Sequence, residues 1–276
     1  MNSLTAAGLP DFFAPGAAAA FVLTALRVAG LMLVAPAWSA KTVPMKLRTA
    51  LIVIFAVLLT PAASVSANLP ALRITPAAFL TESVIGFVIG LAAATTIAAA
   101  EFAGELITTT SGLSGAAVFD PVNNKQGSLL SSLMQLFALV MIIISGGHLI
   151  MIKAVAMSFD AMPLGATLNI AAGMGAFVPT AKVIFVSGMQ FASPVIAAVF
   201  VTNLALAILG RAAPQLQVMS LAFPMQIGVG LLTFAGSIAL VGHVLSDWTP
   251  GFRTTLDTFA HATLPTAASV VKTGGH

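Results

Sequence analysis

Apolar residues run in long blocks separated by short polar stretches over most of the chain. Six blocks approach or exceed the length of a membrane span, at about 17–35, 47–63, 78–100, 128–152, 183–209 and 217–245. An α-helix needs about 20 mostly apolar residues to cross a hydrocarbon core roughly 30 Å thick. The second block is short and stops at Pro61. No period-two alternation suggests a barrel, and backbone groups in lipid must find partners within their own segment, so all six blocks predict helices. The punctuation falls between them, in "APAWSAKTVPMK", "TPAASVSANLPALRITP", "SGLSGAAVFDPVNNKQG", "SFDAMPLGATLNIAAGMGAFVPTAK" and "GRAAPQLQ". None of these is long enough to fold as a separate soluble domain. The predicted organisation is one membrane domain over 1–245 followed by a polar, mobile tail over 246–276.

Composition agrees with the pattern. Of 276 residues 59% are hydrophobic and only 7% charged, and the mean hydropathy is +1.06. A soluble domain averages roughly 25% charged residues, so this inventory builds an integral membrane protein. The net charge is +3, but the eleven Lys and Arg form no run or stripe, and nucleic-acid binding has no support. The absence of cysteine excludes disulfides, thiolate chemistry and thiolate metal sites. The first cation, Arg27, already lies inside the first apolar block, and Asp11 precedes it. Without a basic leader the first helix is expected to remain as an anchor. Lys41, Lys46 and Arg48, with no acid among them, place the 36–48 connection in the cytoplasm by the positive-inside rule, although Lys and Arg over all connections divide about evenly.

Small residues shape the helices further. Glu82, Gly86 and Gly90 repeat at i, i+4 and i+8, and "GFVIG" is a GxxxG element that lets another helix approach closely. Ala94, Ala98 and Gly104 roughly continue that face. Gly146, Gly147, Gly188, Gly228 and Gly230 add further weak points, while Pro194 and Pro224 sit where a helix is expected to kink or break. The fold class expected is an all-α integral membrane protein of about six hydrophobic segments arranged as kinked hairpins.

Two kinds of chemistry compete for the polar residues. Gly112-Leu113-Ser114-Gly115 spells GxSG, the pattern around the nucleophilic serine of rhomboid intramembrane proteases, with His148 or His243 as candidate base. In rhomboids that serine begins a long membrane helix. Here Asp120-Pro121 follows six residues later, proline pushes its predecessor out of helical geometry, and "VFDPVNNKQG" continues as a loop. An ion or substrate path is the alternative. Arg27, Glu82, Glu101, Glu105, His148 and Lys153 lie in or beside apolar runs, where an unpaired charge costs about 2.5–3.5 kcal/mol. Glu101 and Glu105, at i and i+4, would either hold a cation or face water at a helix end. His148 would either relay protons or bond a backbone carbonyl. A stand-alone ion-coupled transporter usually shows an internal repeat, and none is convincing here.

The ordered set of breaks resembles the FliR family of the flagellar type III export apparatus, whose injectisome counterparts are called SctT. The resemblance runs from about residue 24 to 245. It starts with Arg27 and "VAPAWS", then "VPMKLRTALIVIFAVLLTP", "ESVIGFVIG" and "EFAGELITTTSGLSGAAVFDP". It continues through "GGHLIMIKAVAMSFDAMPLG" and closes with "GMQFASPVIAAVFVTNLALAILGRAAPQLQVMSLAFPMQIGVGLL". The resemblance implies a subunit of a protein-conducting gate and no enzyme or cofactor. One such chain assembles with FliP-like and FliQ-like subunits, joined by an FlhB-like subunit, in the inner membrane at the flagellar basal body. Unfolded export substrates pass through its centre, and much of the oily surface is buried on partners instead of lipid. The glycine-rich segment, here Ser111, Gly112, Leu113, Ser114, Gly115, Val118, Phe119 and Asp120, is implied to close the channel at rest. Its glycines permit backbone shapes closed to other residues, and its apolar side chains can seal. Arg27, Arg48, Glu82, Gly86, Gly90, Asp120, His148, Arg211 and Pro214 are expected to be structural or inter-subunit. A charge-reversal swap between partners would test each charged pair.

Overall fold

The computed structural model describes residues 15–39, 43–65, 67, 69–114, 128–166, 175, 177–213, 218–246 and 248–263. Most of these residues are helical, and no strand occurs among them. The helices are α1 (Ala17–Val34), α2 (Pro36–Ser39), α3 (Met45–Val65), α4 (Pro76–Thr110), α5 (Leu129–Ile144), α6 (Gly147–Ala161), α7 (Phe177–Ala212), α8 (Val218–Ser246) and α9 (Thr249–Thr263). Five of them, α1, α3, α4, α7 and α8, are long and apolar enough to cross a membrane, and the broken pair of α5 and α6 makes a sixth candidate span. The protein is an all-α integral membrane protein.

Where the helices depart from the apolar blocks, the reason is local. The block at 128–152 is two helices, because Gly146 takes a left-handed φ of 75° after Ser145 ends α5. The block at 78–100 is the middle of a longer helix. Glu101 and Glu105 sit on its exposed side, so the chain stays helical past them to Thr110. Pro61, Pro194 and Pro224 end no helix. At Pro194 the missing N–H deprives the Gln190 carbonyl of its donor, and the Ser193 hydroxyl donates to that carbonyl at 2.8 Å instead. The segment after 245, expected as a polar, mobile tail, carries α9. Phe252, Thr255 and Phe259 are buried along one stripe of it while Arg253, Thr254 and Asp257 are exposed.

The described residues divide into two compact units. One draws on 1–94, 146–180 and 251–276, the other on 95–145 and 181–250. In the first unit α1 packs along α3 and α3 against α6, around Leu23, Leu31, Met32, Met151 and Val155. In the second, α5 packs on α8, and Ile107, Met134, Ala138, Ile142 and Val199 are fully enclosed. Outside these cores large apolar side chains stay uncovered, among them Leu58, Phe200, Val201, Leu204, Ile208 and Leu232. On helices of this length such a surface is made for lipid or for other apolar helices.

Candidate functional site

The glycine-rich segment starts from a well-made helix end. The N–H of Leu113 bonds back to the carbonyl of Thr108 at 3.1 Å, and the N–H of Gly112 to that of Thr109 at 3.3 Å. Gly112 has a φ of 74°. This is the Schellman arrangement, with glycine at the one position that must be left-handed and an apolar residue next. The far end is equally defined. Ser128 accepts the N–H of Ser131 at 3.0 Å and so caps α5. The Ser128 hydroxyl also lies 2.9 Å from that of Thr108, which bonds the Gly104 carbonyl at 2.8 Å. Gly104 allows this closeness, since a Cβ there would stand 2.7 Å from the Leu130 carbonyl oxygen. The two ends of the segment are thus clamped together by helix caps. Replacing Ser128 with alanine removes cap and clamp at once and is expected to cost about 1 kcal/mol, read as a lower thermal midpoint in detergent.

In the other unit a charged pair is buried completely. The Nε of Arg27 donates to Glu82 Oε2 at 2.6 Å, with both side chains at 0% exposure. Every other polar edge of the pair is used. Arg27 Nη1 donates to the Ser158 hydroxyl at 2.8 Å and Nη2 to the Met162 carbonyl at 3.0 Å, while Glu82 Oε1 accepts the N–H of Gly165 at 3.1 Å. The guanidinium also lies over the Phe159 ring, 4.3 Å from its centroid. Two spanning helices, α1 and α4, therefore hold the non-helical backbone at Met162–Gly165 that follows α6, in the one way a low-dielectric interior tolerates it. Glycine brings those two helices together. A Cβ on Gly86 would fall onto the Arg27 carbonyl, and one on Gly90 would stand 2.7 Å from the Leu31 oxygen. Gly30 makes the same approach from α1 toward Ser83.

This helical chain matches a family described as bacterial export proteins, family 1, over residues 18–250. It is also 31% identical over 232 residues to the flagellar biosynthetic protein FliR of Escherichia coli strain K12, covering 80% of this chain and 87% of that protein. The chain belongs to the FliR family. The FliR of Pectobacterium carotovorum is 29% identical over 217 residues (78% and 83% of the two chains), and that of Bacillus subtilis 27% over 219 residues (77% and 83%). Membership makes the chain a membrane component of the flagellar export apparatus.

Within this FliR-family chain the predicted site residues fall into groups. Arg27, Glu82, Gly86 and Gly90 meet in one cluster, and Ser111, Gly112 and Leu113 form the helix end. Ser114 is exposed and lies past the cap, outside any helix. Arg48 is half-buried near the start of α3, and Arg211 is exposed at the end of α7. His148 is half-buried in the first turn of α6, where its Nδ1 has no partner among the described residues. Glu101 and Glu105 are both exposed, and no group of three metal-ligating side chains occurs among the described residues. Gly115, Val118, Phe119, Asp120 and Pro214 lie outside the described residues. Thr108 and Ser128 were not singled out from the sequence. A serine directly before the apolar run "LLSSLMQLFALV" is the cap signal that points to Ser128.

Proposed function

We propose that this chain is the subunit of the flagellar export gate that combines with FliP-like and FliQ-like subunits, joined by an FlhB-like one. Together they build the channel through which unfolded flagellar proteins cross the bacterial inner membrane at the basal body. The segment from Ser111 to Asp120 closes that channel at rest. The observation that carries this reading is the clamped base of the segment: the Gly112 cap and the Thr108–Ser128 contact anchor both ends. Anchored ends let the stretch between them change shape without unravelling α4 or α5. The uncovered apolar faces of α7 and α8 support assembly with other helical subunits. Arg27, Glu82 and the glycines beside them are framework, since their polar atoms are consumed within one unit.

Deletion of 112–117 is expected to raise leak of a small trapped fluorophore from proteoliposomes that hold the assembled complex. Wild-type leak from a complex carrying the deletion would sink the plug reading.

A further inference from the structure

Helices α7 and α8 are covered only as far as Val199 and Gly230. Both are buried, and a Cβ on Gly230 would lie 2.9 Å from the Ser111 Cβ and 3.5 Å from Val199. Beyond them none of the described residues from Phe200 to Ala213 or from Ser220 to Val229 is buried. These two arms are apolar on all sides, with Phe200, Leu204 and Ile208 exposed on α7 and Phe223 and Met225 on α8. Polar side chains are few here. Thr202 returns its hydroxyl to the Ala198 carbonyl at 2.9 Å. Gln226 Nε2 donates to Asn203 Oδ1 at 2.6 Å, and Gln226 Oε1 lies 3.3 Å from where a Gly112 Cβ would stand, so this half-buried side chain is turned inward. Asn203 is exposed. Its oxygen is held by Gln226, and its NH2 group, on the other edge of the same planar amide, has no acceptor among the described residues.

We infer that Asn203 is a docking residue: its amide donates to an acceptor side chain carried by an apolar helix of a partner subunit, and so fixes the register in which that helix packs on α7. The inference rests on the assembly reading above and is independent of the plug. Lipid tails offer the amide no acceptor, and an unpaired N–H in hydrocarbon is costly. An aqueous wall would repeat polar residues turn after turn, whereas Asn203 stands between exposed Phe200 and Ala207. An apolar helix with one acceptor meets both demands. Ala207, one turn further along α7, is small enough to let such a helix come close. Gln226 takes the Asn203 oxygen and thereby sets the direction in which the NH2 group is offered. A lone amide on an apolar face selects one register, because any slip of the partner leaves that amide against hydrocarbon.

Co-expression of the tagged chain with the FliP-like and FliQ-like subunits, followed by purification in mild detergent, tests this by the amount of partner recovered per chain. Asn203→Ala, which removes the amide without adding bulk, is expected to lower recovery about fivefold. Gln226→Met breaks the bond within the hairpin but leaves the Asn203 amide in place, and is expected to lower recovery by no more than about twofold. Equal losses from the two variants would mean that the amide pair only ties α7 to α8, which overturns the inference. A benzophenone side chain in place of the exposed Leu204 keeps the test open if Asn203→Ala fails to fold. On illumination of the purified complex it is expected to join α7 to a partner subunit. Adducts with lipid or detergent alone overturn the inference. Wild-type recovery from Asn203→Ala also overturns it and spares the assembly reading. A wild-type chain that brings down no partner overturns both.

Discussion

Replacing Glu82 with glutamine is expected to cost about 3–5 kcal/mol and to strip the chain from the membrane fraction, because Arg27 then keeps its charge with no counter-ion in a site of 0% exposure. Glutamine still offers an oxygen to the Gly165 N–H, so the loss measures the charge and not that hydrogen bond. The reciprocal swap, Arg27→Glu with Glu82→Arg, restores opposite charges but is expected not to restore the protein. A carboxylate at 27 cannot donate to the Met162 carbonyl, and a guanidinium at 82 cannot accept the Gly165 N–H. From sequence alone a swap was the natural test of such a pair. The structure reverses its expected outcome, because each charge also serves a fixed backbone group. Wild-type accumulation of the swapped chain would show that those backbone contacts are dispensable.

Gly86→Ala is expected to be nearly as damaging as loss of the ion pair. The added methyl meets the backbone carbonyl of Arg27 and the Leu31 nitrogen at 2.9 Å, and backbone cannot rotate aside as a side chain can. Overpacking of this kind costs up to about 3 kcal/mol, and here any separation of α1 from α4 also stretches the Arg27–Glu82 contact. Gly228→Ala is the matched control. Nothing lies within 4 Å of a Cβ at Gly228, so the change should stay within about 1 kcal/mol and leave the thermal midpoint of the detergent-purified complex nearly unmoved. Equal effects at the two glycines would show that the close approach at Gly86 carries no weight.

Much of this was legible in the sequence because membrane folding leaves a coarse signal. A span must be apolar over about 20 residues, so five helices and the α5–α6 pair fall on the six apolar blocks. The spacing of Gly86 and Gly90 marks a close helix contact in the same way. What periodicity missed has particular causes. Pro194 reads as a break because sequence does not show that Ser193 will replace its lost donor. The α9 helix was hidden by its polar residues, although Phe252, Thr255 and Phe259 keep helical spacing.

By itself, then, the sequence determined that the chain is a helical membrane protein of the FliR family, where along the chain its apolar spans lie, and which polar residues stand out against the apolar background. Those properties depend on hydrophobicity and order along the chain, which are local. Only the tertiary structure decided that Glu82 meets Arg27, that Met162 and Gly165 complete the pair, and that Gly230 lies under Ser111. Residues 55 positions apart, such as Arg27 and Glu82, leave no periodic trace of their meeting. Which of the available charges and glycines meet is settled by the way the helices pack, where a missing methyl sets how closely two backbones come together.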